Sequence, residues 1–228
     1  MDTESILYTA STWVLPALFA ITLHEAAHGF VAWHLGDDTA KRQGRVTANP
    51  LRHVDPFGTV LLPAFLLIMK APFLFGWAKP VPVNFGRLNN PKRDMIWVAA
   101  AGPGTNIALA FLSAFGLHVS LGMQSDFGLW LTDNLSNSLG LNVVLAVFNM
   151  LPIPPLDGGR VAVGLLPRHL ALRLARLERI GLFIILGAVF ILPLLGSQLG
   201  LNLNVFNWLV AKPATFVVQF IVDVTGLE

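Results

Sequence analysis

The chain has 228 residues, 54% hydrophobic and 12% charged, with a formal net charge of +2 and no cysteine. A soluble domain carries about 25% charged residues, so an ordinary water-soluble fold is excluded; the cations are scattered between apolar stretches, which excludes the dense basic run that binds nucleic acid. Without cysteine there are no disulfides or thiolate sites, and a transition metal has only His, Asp and Glu to hold it.

Crossing a bilayer as a helix takes about 20 apolar residues. The first such stretch covers about 5–35. It opens Met1-Asp2-Thr3-Glu4, with no Lys or Arg, and runs directly into His24-Glu25, so a span of the mature protein is expected rather than a signal peptide. A basic loop with Lys41, Arg42, Arg45 and Arg52 follows, then an apolar segment over 57–77 interrupted by Pro63 and Pro72. Residues 78–94 hold three prolines and no helical period, and read as loop or short edge strand. Further spans are expected near 95–121, 139–160, 180–199 and 203–222, with the Arg-rich stretch 168–179 forming a surface helix that leads into the fifth.

Lysine and arginine mark cytoplasmic loops. By that rule the loop with Lys41 to Arg52, the one with Lys79, Arg87, Lys92 and Arg93 and the one with Arg160 to Arg179 are cytoplasmic, while the N-terminal tail and loop 122–138, which has Asp126 and Asp133 and no base, face outward. A segment flanked by two cytoplasmic loops cannot cross once, so 57–77 should enter and return as a re-entrant hairpin; an ordinary span with one misplaced loop is the alternative. The expected fold is an all-α polytopic membrane protein of five to six transmembrane segments, a single membrane-embedded domain over 1–228. Its catalytic core covers about 5–165, and C-terminal helices cover about 168–224.

His24-Glu25-Ala26-Ala27-His28 lies inside the first span. Spacing i, i+4 puts both imidazoles on one helical face, where they can share a metal, and Glu25 borders that face as a base for a metal-activated water. Chance would place about 0.002 such patterns in a chain of this composition, and ionisable groups inside a span carry a cost that function must justify. A catalytic zinc takes three protein ligands. Asp157 is the candidate third, because the prolines at 152, 154 and 155 break the helix and Gly158-Gly159 leave room beside its carboxylate. The alternative is a helix-capping aspartate paired with Arg160.

These residues resemble the site-2 protease family of intramembrane zinc metalloproteases, in its compact prokaryotic branch without a PDZ domain. HExxH at His24–His28 and N-x-x-P…D-G at Asn149, Pro152, Asp157 and Gly158 occur in the family's order. Asn49-Pro50, His53, Asp55-Pro56 and Gly58 match further, as do Ala101-Gly102-Pro103 and Asn106. The resemblance covers about 10–165. It implies one Zn2+ per chain on His24, His28 and Asp157, with Glu25 catalytic and a three-span core reached by water from the cytoplasm. It also implies a transmembrane-helix protein as substrate, in the lipid bilayer of a bacterial cell (inner) membrane. Asn149 then holds substrate backbone or the oxyanion, and the loop about 76–86 pairs with an unwound substrate strand. His53 has either a catalytic or substrate-binding role or a loop-ordering one. Asn106 reads as a helix-packing amide, and His34, His118 and His169 as structural.

Two other functions fit parts of the pattern. A metal transporter or sensor would use the same four residues as a transit site, and an inactive helix-binding pseudoprotease would keep the fold. A membrane di-iron oxygenase needs more histidines than the six present.

Overall fold

The computed structural model describes residues 3–61, 65, 69 and 78–227, and these are helical with no strand. Helix α1 (Thr3–His34) is 32 residues long, about 48 Å at 1.5 Å per residue. A single turn at Thr39–Arg42 follows. Helix α2 (Pro91–Ser120) starts on proline, whose missing N–H is harmless in a first turn. Helix α3 (Asp126–Asn149) is capped by Ser125, whose hydroxyl accepts from the Gly128 N–H at 3.1 Å. Then come the short helices α4 (Asp157–Leu165) and α5 (Arg168–Arg176) and the apolar helices α6 (Glu178–Gln198) and α7 (Asn207–Thr225).

Large apolar side chains point away from the protein: Trp13, Phe19, Phe115, Phe183 and Phe216 are each at least half exposed, whereas Ala20, Ala110 and Ala114 are fully buried. In lipid there is nothing to gain from hiding a large apolar group, and close packing of small residues holds helices together instead. The protein is a polytopic helical membrane protein. Four helices are long and apolar enough to cross: the Leu7–His34 part of α1, and α2, α6 and α7. α2, α3 and α7 pack through Ala110, Ala114, Leu139, Val143, Ala214 and Ile221.

The structure corrects the third connection and fourth span. Residues 126–138, expected as an outward loop, are the first half of α3, and the expected span 139–160 stops at Asn149. The polar residues that lowered its hydropathy are satisfied by neighbouring helices. Tyr8 donates to Asp133 at 2.7 Å, Trp130 to Ser11 at 2.9 Å, Asn137 to the Thr12 carbonyl at 3.0 Å and Thr132 to Ser120 at 2.9 Å. After Asn149 the proline-rich turn 150–156 reverses the chain into α4.

Residues 78–84 are irregular and lead to a 3₁₀ turn at Phe85–Arg87, so the edge-strand expectation finds no strand here, and 91–94 belong to α2. The segment is tied down at several points: the Lys79 N–H donates to the His53 carbonyl at 2.9 Å, Arg45 to the Lys79 carbonyl at 2.6 Å, and the Asn84 N–H to Asp37 at 2.6 Å. Pro56–Leu61 forms a wide helical turn. The re-entrant hairpin expected over 57–77 otherwise lies outside the described residues.

Candidate metal centre

α1 and α2 run antiparallel, and the i, i+4 spacing of the histidines on α1 meets the same spacing on α2. His28 faces Val98, His24 faces Asn106, and Gly102 stands between. His28 Nδ1 is 2.7 Å from the Val98 carbonyl, and His24 Nδ1 is 2.5 Å from Asn106 Oδ1. Both partners only accept, so both Nδ1 atoms carry a proton, and in the neutral imidazoles both Nε2 atoms keep a lone pair. The Asn106 amide is oriented in turn: its Nδ2 donates to the Ala20 carbonyl at 3.2 Å and to Asn142 Oδ1 at 2.7 Å, and Asn142 Nδ2 donates to the Ser138 carbonyl at 2.9 Å. Asn106 and Asn142 are almost wholly buried.

The two Nε2 atoms are 3.1 Å apart, and Asp157 Oδ2, on the first residue of α4, lies 3.1 Å from one and 3.4 Å from the other. All three side chains are buried, and Asp157 Oδ2 makes no hydrogen bond among the described residues. Three electron-pair donors facing one another without a proton between them repel unless a cation joins them. Tetrahedral zinc, with bonds of about 2.0–2.1 Å, holds its ligand atoms roughly 3.3–3.4 Å apart. The donor set therefore fits Zn2+, and among the described residues it is the one group of three close His or carboxylate ligands.

Gly102 makes this possible. A Cβ there would lie 2.5 Å from His28 Nε2 and 2.6 Å from His24 Nε2, so any side chain would overlap both rings. The capping alternative for Asp157 is not what forms, since Arg160 instead reaches Glu178 at 3.6 Å.

Glu25 is half-buried beside this cluster, and its Oε2 accepts the Val81 N–H at 2.7 Å. The four residues line one cavity of about 490 Å³ with Val81, Phe85, Asn149, Arg160 and Leu182. Asn149 donates to the Leu145 carbonyl at 3.0 Å, which leaves its carbonyl oxygen free among the described residues. His53 does not line the cavity: its Nε2 donates to the Thr47 carbonyl at 3.0 Å, and its own carbonyl receives Lys79, the loop-ordering arrangement. His34 and His118 bond backbone carbonyls at 2.9 and 2.8 Å.

Sequence reasoning missed Asn142, the Val81 contact and the bond from Asn106 to His24. The last had a signal, since Val98, Gly102 and Asn106 repeat the histidine spacing on a second helix.

No family model and no solved structure matches the chain. A curated protein of Bacillus subtilis (strain 168) named "Putative zinc metalloprotease YwhC" is 39% identical over 185 residues, which cover 79% of this chain and 80% of that protein. Proteins named "Putative zinc metalloprotease Rip2" from Mycolicibacterium smegmatis and Mycobacterium tuberculosis are 30% and 31% identical over 141 residues, 62% of this chain and 52% of theirs. The chain thus matches most of the first protein and about half of the mycobacterial ones.

Proposed function

This chain belongs to the site-2 protease family of zinc metalloproteases, and on that premise we propose that it hydrolyses peptide bonds within or beside the transmembrane helices of membrane-protein substrates. His24, His28 and Asp157 hold one Zn2+ per chain, and Glu25 moves the proton. The observation that carries this is the convergence of two imidazole nitrogens and a carboxylate oxygen in a buried cavity with Glu25 on its wall. Zinc there supplies Lewis acidity, which lowers the pKa of water toward about 7 and polarises a carbonyl.

The protein's own groups do the rest. Glu25 Oε2 is held by Val81, so the other oxygen takes the proton from the attacking water and returns it to the leaving amine. A substrate helix has its amides internally bonded and must unwind first. The unwound strand lies along 78–84, where the Val83 N–H has no partner among the described residues, and Asn149 binds its backbone. The setting is a bacterial cell membrane with the cavity open to the cytoplasm, on the side of the basic loops.

The test compares wild type with Glu25→Gln, both purified in detergent, for zinc content and for cleavage of single-span model substrates. Both should carry one zinc, and the variant should lose on the order of 10²- to 10⁴-fold in rate. Cleavage by Glu25→Gln at the wild-type rate removes the base assignment. Failure of either protein to take up zinc removes the site.

A further inference from the structure

A second depression lies behind the wall of the catalytic cavity. It is an open groove of about 450 Å³ between the start of α2 and the surface helix α5, walled by Phe85, Met95, Val163 and Leu172, almost wholly carbon. Two cations, Lys92 and Arg168, stand on its edge. Both are exposed, and neither makes an ion pair or hydrogen bond to any described residue. The protein offers them no anion nearby: Asp94 is buried and accepts the Asn90 N–H at 2.7 Å, Glu178 is engaged by Arg160, and α5 has no acid.

The groove's position says what fills it. Lys92 lies in the first turn of a membrane-spanning helix and Arg168 at the start of a helix with Leu170, Leu172 and Leu174 among its arginines, so both sit at the level where acyl chains give way to headgroups. A soluble ligand would not need a carbon-lined slot, and a zwitterionic lipid, whose own ammonium offsets its phosphate, would match the two cations less well than a lipid with net negative charge. We infer that this groove binds an anionic phospholipid, with an acyl chain against Phe85, Met95 and Leu172 and the headgroup phosphate between Lys92 and Arg168. Because Phe85 lines the catalytic cavity on its other side, and the Arg160 guanidinium sits 5.5 Å over its ring, the bound lipid braces one wall of that cavity. The binding itself does not depend on the protease reading.

The experiment uses the full chain in neutral detergent. Native mass spectrometry measures retention of phosphatidylglycerol, phosphatidylcholine and inorganic phosphate by the wild type, by Lys92→Gln/Arg168→Gln and by Arg173→Gln/Arg176→Gln, a control pair that does not line the groove. Phosphatidylglycerol should be retained in preference to the other two. The groove variant should lose that retention by on the order of tenfold or more, as expected for two interfacial cations, and the control pair should keep it. Three outcomes overturn the site: equal retention of the two lipids, retention of phosphate alone, or an equal loss in both variant pairs, which would mean diffuse surface attraction. Displacement of phosphatidylglycerol by a soluble acidic peptide would make the groove a protein-docking site and overturn it as well.

Discussion

At Asn106 two demands meet: a buried amide must satisfy its own hydrogen bonds, and His24 must keep its proton on the nitrogen away from the cavity. One side chain does both, because its Nδ2 is spent on Ala20 and Asn142, and its Oδ1 is therefore aimed at the imidazole. Asn106→Leu should weaken zinc binding by about 10- to 100-fold in a competitive chelator titration while the helical circular-dichroism signal persists. Gly102→Ala should act more severely, because its methyl group would overlap both imidazoles and force them apart, and no zinc should be retained on dialysis. His53 makes a pH prediction. Burial, reinforced by Arg45, holds its pKa below the ordinary value, so its native form is neutral. Its contribution to stability is whole above the unfolded value of about 6.5 and is lost as pH falls through the lower folded value. Thermal unfolding from pH 8 to pH 5 should therefore destabilise the wild type more than His53→Gln.

Of the four candidate spans, α6 and α7 are the least buried, and α6 has the glycine with the least room for a side chain among the described ones. Gly181 sits so near the proline turn that a Cβ would fall 1.6 Å from the Pro154 carbonyl oxygen, and the next residue, Leu182, lines the catalytic cavity. Gly181→Val should push α6 off that turn, lower stability by roughly 1–3 kcal/mol and reduce cleavage without loss of zinc, measured by thermal unfolding and metal content. The helices also show what could be read beforehand. α1 was legible with its histidine pair, because apolar length and an i, i+4 motif are local. The first half of α3 was not, since Asp133, Asn137 and Ser138 look like loop until their partners on α1 and α2 are known. The tie between Glu25 and Val81 spans 56 residues and leaves no trace in any local period. Asp157 falls between these cases: the proline break announced a site, and only the fold shows its oxygen between two imidazoles.

For the whole molecule, the topology expected from charge is directly testable because the chain has no cysteine of its own. Ser125→Cys, at the turn before α3, and Arg173→Cys, on α5, should react from opposite sides of a sealed vesicle with a membrane-impermeant thiol reagent. Labelling of both from one side would remove the expected topology, and labelling of Ser125→Cys from the inside with Arg173→Cys from the outside would invert the reading of the basic loops and close the cytoplasmic route to the cavity.

The three donors come from two distant parts of the chain, His24 and His28 on the first helix and Asp157 on the fourth. During synthesis the membrane receives them in that order. A nascent chain with only α1 and α2 inserted presents two oriented imidazoles and no third donor, which favours loose and reversible metal contact. The site closes only when the proline turn after α3 has brought α4 against α2, with Asp157 beside the two histidines. On the proposed function, hydrolytic competence would thereby be tied to completion of the fold.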